Sequence, residues 1–234
     1  MAAKPERHHN TLEVVYSREC WALLREFREK AANLISALES RHIEAILLGS
    51  IARGDVNRGS DIDLFIPNPP SSFLIETVLE QSNVHVVART VIQATPAYAM
   101  KGYLEIDPAT TVSFPLMGLR RVEREFYRFS GEINLTQLKS GLRVVGVDKR
   151  LMFIEPTERG HIESSIIGRE EAIAKMLGVA VETVLDRVHA LMKRDAVGRT
   201  GVFVKKKLAV DETFELALKR LAAGNPAVRR RLRI

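Results

Sequence analysis

Ile46-Leu47-Leu48-Gly49-Ser50-Ile51-Ala52-Arg53-Gly54-Asp55-Val56-Asn57-Arg58-Gly59-Ser60-Asp61-Ile62-Asp63-Leu64-Phe65-Ile66-Pro67 reads as a strand, a tight turn, a short helix, a loop and a second strand. Ile46 to Leu48 is an apolar run that stops at a glycine, the pattern of a buried strand meeting a turn. Gly49-Ser50 then opens a segment whose first backbone N–H groups have no helical partner. Asp61 and Asp63 are two residues apart on the second strand, so their carboxylates leave one face while Ile62 and Leu64 point into a core. Free backbone donors suit a phosphate, and two convergent carboxylates suit a divalent metal.

An apolar residue, Gly-Ser, ten residues and then Asp-apolar-Asp-apolar resembles the signature of the polymerase β-type nucleotidyltransferase superfamily. Gly-Ser-x-Ala-Arg-Gly followed by Ser-Asp-x-Asp is similar to the small, minimal members of that group. The resemblance implies an α+β nucleotidyltransferase fold, a mixed sheet flanked by helices. It implies Mg²⁺ or Mn²⁺ held by Asp61 and Asp63, and an NTP substrate whose triphosphate lies on Gly49, Ser50 and the N–H groups after them. Arg53 is expected to neutralise that triphosphate, and a side chain at Gly49 would hinder its approach to the backbone. The superfamily usually adds a third carboxylate on a later strand, beside the first two. Two candidates stand on the returning strand Gly102 to Asp107. Asp107 shares its partners' residue type and is preferred as catalytic and metal-binding residue, although Pro108 follows it. Glu105 is the alternative and has the apolar-acid-apolar frame.

The composition bounds the rest. The 234 residues are 46% hydrophobic and 27% charged, ordinary for a globular chain of one large or two small domains. No apolar run approaches the roughly 20 residues of a membrane helix. The polar Met1 to Asn10 lacks the apolar middle of a signal peptide, and a lone cysteine, Cys20, fits a reducing compartment, so the expectation is cytoplasmic without a membrane. Charge is uneven: residues 1–115 hold 11 Lys/Arg against 14 Asp/Glu, and residues 116–234 hold 24 against 15. A basic second half points to a polyanionic partner.

Around the central stretch, Ser17 caps a helix reaching about Ser40, with Trp21, Leu24, Ala31, Leu34, Ile35 and Leu38 as its apolar stripe. A helix over Ser72 to Gln81 is expected to turn Phe73, Leu74, Val78 and Leu79 inward. The polar stretch Pro156 to His161 reads as a boundary. This divides the chain into a nucleotidyltransferase domain over 11–155 and a second domain over 160–222, with polar or basic tails at 1–10 and 223–234.

In the second domain two helices meet at Gly178, one over Glu170 to Leu177 and one over Val181 to Arg194. A glycine turn and the strand Val202 to Lys207 follow. The segment resembles a small winged helix-turn-helix domain. That resemblance makes Thr183, Arg187 and Lys193 groove-facing. It makes Arg199, Lys205, Lys206 and Lys207 phosphate contacts that position nucleic acid without reading it. It also allows a homodimer. The leading expectation is a metal-dependent nucleotidyltransferase that moves an NMP from an NTP to nucleic acid or a nucleic-acid-associated acceptor. Its rival is a DNA-binding regulator that keeps the scaffold as a nucleotide sensor or relic.

Overall fold

The computed structural model describes residues 5, 11–198 and 201–233. The chain begins with β1 (Leu12–Val15), α1 (Arg18–Glu39), β2 (Ile46–Leu48), α2 (Gly49–Arg53), β3 (Ile62–Phe65) and α3 (Ser72–Gln81). It continues through β4 (Ala88–Gln93), β5 (Lys101–Asp107), β6 (Thr110–Pro115), α4 (Arg121–Ser130), β7 (Glu132–Ile133) and α5 (Leu135–Lys139). It ends with β8 (Gly146–Val147), β9 (Met152–Thr157), β10 (Gly160–Ser165), α6 (Glu170–Leu177), α7 (Val181–Val197), β11 (Val204–Lys207), α8 (Phe214–Gly224) and α9 (Pro226–Arg231). The architecture is α+β. Two compact units interleave along the sequence: residues 1–30, 47–60 and 121–200 contribute to the first, and 31–46, 61–120 and 201–234 to the second.

In the first unit, β1, β10, β9 and β8 form an antiparallel sheet. Leu47 and Leu48 of β2 pair antiparallel with Ile133 and Glu132 of β7. One apolar core gathers Phe129, Val147, Leu151, Phe153 and Ile166 with Ile173, Ala174, Leu177, Val184, Val188 and Leu191 of α6 and α7. The two helices therefore meet as their apolar spacing predicts, and Gly178 closes α6 at φ +63°, a conformation glycine reaches without a Cβ penalty. Their core, however, is shared with the β9–β10 hairpin. The stretch 156–161, expected as a domain boundary, is the end and turn of that hairpin. His161 pairs with Pro156 and Gly160 with Thr157. A polar Pro/Gly segment marks a tight turn as readily as a boundary.

In the second unit, β3 runs parallel to β6, and β6–β5, β5–β4 and β4–β11 are antiparallel. Leu64, Val91, Leu104, Val112 and Phe114 are buried. Phe214 of α8 meets Phe114 edge to face at 5.1 Å, and any side chain at Gly102 would strike both rings. Glu215 of α8 accepts from the backbone N–H and hydroxyl of Ser72 at 2.8 and 2.7 Å, so its carboxylate closes the start of α3.

Three expectations change here. Phe73 is 72% exposed and Leu74 also faces out, because Ile75, Val78 and Leu79 make the buried i, i+3, i+4 stripe of α3. The lysine strand is no wing: an isolated strand needs a partner for its backbone groups, and β11 finds one in β4, with Lys205 opposite Ile92 and Lys207 opposite Thr90. The basic end is not a plain tail. It folds as α9, capped by Asn225 and anchored by Arg231, whose buried guanidinium donates to the carbonyls of Ala97 and Gly118 at 3.1 and 2.8 Å.

Candidate functional site

The Gly-Ser turn lies in the first unit. Leu48 ends β2 extended and leaves α2 without a side-chain cap. Gly49 takes φ +70°, and a Cβ there would meet nothing within 4 Å. The glycine is therefore required by its left-handed backbone, and the space before it is open. Its own N–H donates to Gly131 O at 2.9 Å, so the donors left for an anion begin at Ser50. The Ser50 hydroxyl donates to Ser60 Oγ at 3.3 Å, and Ser60 Oγ accepts from Asn57 N at 3.0 Å. Ser60 is buried and holds the loop that delivers Asp61. Its signal was in the quoted motif, as the Ser of Ser-Asp-x-Asp.

Arg53, expected to neutralise the triphosphate, is enclosed by the protein's own groups. It is 4% exposed and forms a two-pronged pair with Asp55 at 2.9 and 2.8 Å. Its third arm donates to Ser130 O at 2.5 Å. Gly131 and Gly146 are bare so that its side chain fits between them: a Cβ on either would lie 2.7 to 2.9 Å from its methylenes. Arg28 of α1 completes the frame by donating to Ile51 O, Ala52 O and Leu142 O, satisfying the end of α2. Burial, and then the neighbouring Arg143, lower its pKa to about 10. Arg58, on the loop, is exposed.

The carboxylates lie in the second unit. Asp61 and Asp63 are exposed while Ile62 and Leu64 are buried, as the alternation requires. Within this unit the strand beside β3 is β6. It sets Thr111 opposite Asp63 and Ser113 opposite Phe65. The strand beyond sets Glu105 opposite Thr111 and Tyr103 opposite Ser113. Paired residues share a face, so Asp63, Thr111, Glu105, Ser113 and Tyr103 form one surface. Tyr103 was not anticipated. Burial and then the charge of Asp63 push its phenol up to about 12, so it stays protonated near that carboxylate.

Asp107, the preferred third carboxylate, does not share the face of Asp63. A register shift between Glu105 and Asp107 pairs Asp107 with Thr110, which stands opposite the buried Ile62. Asp107 Oδ1 accepts from Ala109 N at 2.9 Å, closing the β5–β6 turn. Glu105, exposed, keeps the face of Asp63, one strand further out than a neighbour would be. Among the described residues no three His, Cys, Asp or Glu side chains group as a metal-holding cluster. The Asp61/Asp63 pair nevertheless fits magnesium, which takes one or two carboxylates and draws its other oxygens from water and substrate phosphates.

Of the residues expected to face nucleic acid, Thr183, Arg187 and Lys206 are taken by the protein itself. Thr183 is buried and donates to Glu125 Oε2 at 2.6 Å. The same carboxylate accepts from Ala180 N at 2.8 Å and from Arg121 at 2.7 Å. Burial raises the pKa of Glu125, but these bonds outweigh it and hold it down to about 2. Arg187 stacks on Phe126 of α4, 4.9 Å from the ring centre. Lys206 pairs with Glu212 at 2.5 Å. Lys193, Lys205 and Lys207 are exposed, and Arg199 lies outside the described residues.

Residues 25–169, more than half of the chain, match the family described as "Nucleotidyltransferase domain". No curated protein matches the chain. Among the described residues no helix is long and apolar enough to cross a membrane.

Proposed function

The chain belongs to the nucleotidyltransferase domain family, and on that premise we propose that it is a metal-dependent enzyme moving an NMP from an NTP to a hydroxyl of nucleic acid or a nucleic-acid-associated acceptor. The observation that carries this reading is the exposed Asp61/Asp63 pair at the start of β3, with ten residues between it and the Gly49-Ser50 turn in sequence. Magnesium or manganese, when bound, supplies Lewis-acid stabilisation of the charge that builds on the transferring phosphoryl group. Asp61 and Asp63 would hold it. Ser50 and the N–H groups at the start of α2 bind the triphosphate. Glu105, two strands from Asp63 on the same face, is the candidate third carboxylate, and the protonated Tyr103 lies near Asp63. Attack forms the new P–O bond to the acceptor oxygen, breaks the bond to the leaving phosphate and releases pyrophosphate. The basic residues 116–234 support a polyanionic acceptor.

A second reading has its own observation. β6 places Thr111 and Ser113, not an acid, beside β3. A site with two carboxylates and no third neighbour suits a protein that binds NTP without transferring it, as a nucleotide sensor does. One assay separates the two. Labelled NTP is incubated with Mg²⁺ or Mn²⁺ and total nucleic acid, using wild type and Asp61→Ala/Asp63→Ala. Transfer lost in the double variant supports the enzyme. NTP binding without transfer to any acceptor supports the sensor, and transfer that survives the double change removes the site assignment.

A further inference from the structure

The register of the second unit can be followed strand by strand from the carboxylates to the sheet edge. Asp63 stands opposite Thr111, Thr111 opposite Glu105, and Glu105 opposite Ala88. In the next row Ser113 stands opposite Tyr103, Tyr103 opposite Thr90, and Thr90 opposite Lys207. In the third, Pro115 stands opposite Lys101, Lys101 opposite Ile92, and Ile92 opposite Lys205. Lys205 and Lys207 therefore leave the sheet on the carboxylate face. Lys206 leaves on the other, where Glu212 neutralises it. Thr90 is buried, and the fully exposed polar members of this surface are Asp63 and Glu105 at one end and Lys205 and Lys207 at the other, with half-buried residues, Lys101 among them, between. Neither of these two lysines forms an ion pair among the described residues.

Resting on the proposed transfer reaction, we propose that β11 is a phosphate rail for a single-stranded nucleic-acid acceptor, holding its backbone while the terminal hydroxyl lies at Asp61 and Asp63. Four strand spacings of about 4.8 Å separate β11 from β3, so the rail lies about 19 Å from the reacting end. Sheet twist turns the lysines by roughly 90° over that distance, which suits a flexible single strand better than a straight duplex. At about 3.4 Å per nucleotide, the rise of a stacked strand, an acceptor with its terminal hydroxyl at Asp61 and Asp63 spans to the rail in about six nucleotides. Lysines also protect sheet edges from aggregation, and that role predicts no dependence on ligand length.

The test uses the full chain, Lys205→Gln/Lys207→Gln, and Lys193→Gln as a comparison on α7. Fluorescent oligouridylates and oligothymidylates of about 4 and about 12 nucleotides, below and above the required span, are titrated across a salt series. The expected result is that the double variant binds the longer oligomers about tenfold more weakly, with a salt slope reduced by about 1.4 (0.7 for each lost phosphate contact). The short oligomers and a fluorescent NTP bind as before. Equal weakening of short and long oligomers, no weakening, or a larger loss from Lys193→Gln overturns the rail. A wild type that binds long oligomers through these lysines but transfers no nucleotide keeps the rail and rejects the transfer reading.

Discussion

The outward face at the start of β3 and the first two turns of α7 both carry polar side chains, and these meet opposite fates. At the start of β3, Asp61 and Asp63 alternate with buried Ile62 and Leu64 and face outward. On α7, Thr183 is buried against Glu125, and Arg187 lies on Phe126. Arg53 follows α7: four hydrogen-bonding or packing partners in its own unit enclose it. A polar side chain is available to a ligand only where the fold has not already satisfied it, and burial without a partner is too costly to leave many exceptions.

The sharpest way to break the comparison is at β3. Asp61→Ala/Asp63→Ala should lower nucleotidyl transfer by on the order of 10³-fold, because several kcal/mol of charge stabilisation depends on the bound metal. Its melting temperature should stay close to that of wild type, since both side chains are exposed. A transfer rate within about tenfold of wild type would falsify the site.

Arg53 should behave in the reverse way. Arg53→Ala removes one partner of a buried pair and should cost about 3 kcal/mol in denaturant unfolding. Activity per folded molecule should change little. A stable Arg53→Ala protein with a weakened NTP affinity would return this arginine to the binding site.

The choice of third carboxylate is tested by two isosteric changes. Glu105→Gln should lower transfer by at least about tenfold if its carboxylate serves the reaction. Asp107→Asn keeps an acceptor for Ala109 N–H and should leave both rate and stability nearly unchanged. The opposite ranking would show that the bulge does not remove Asp107 from the chemistry.

The smallest expected effect concerns Glu125. Its folded pKa of about 2 is below the ordinary carboxylate value of 4.5. The stabilisation it brings is therefore present above about pH 4.5 and is lost as pH falls from there toward 2. Melting curves of wild type should steepen their decline with pH in that window. In Glu125→Gln that part of the decline should be absent. Identical pH profiles would mean that the α4–α7 joint does not depend on this charge.

Much of the molecule was legible because it rests on local rules. The stripe of α1, the Ser17 cap, the Gly178 stop and the apolar faces of α6 and α7 all follow from spacing and capping within a few residues. The lysine strand was legible as a strand, but not its partner. Strand pairing joins residues that are distant in sequence, here Lys205 and Ile92, and no local pattern names the neighbour. The boundary expected at 156–161 failed for the same reason: a turn and a linker share their composition.

The sequence by itself determined the Gly49-Ser50 turn, the same-face Asp61/Asp63 pair and the membership in the nucleotidyltransferase family, because a period of two and a glycine at positive φ are properties of the local backbone. Only the tertiary structure decided that Glu105 rather than Asp107 shares that face, since one extra residue in a bulge turns every later side chain over. It alone decided that Arg53, Thr183 and Arg187 are committed to internal partners, and that Lys205 and Lys207 rather than Lys206 stand on the side of the carboxylates. Register and burial arise from which segments meet, and that is a property of the whole fold.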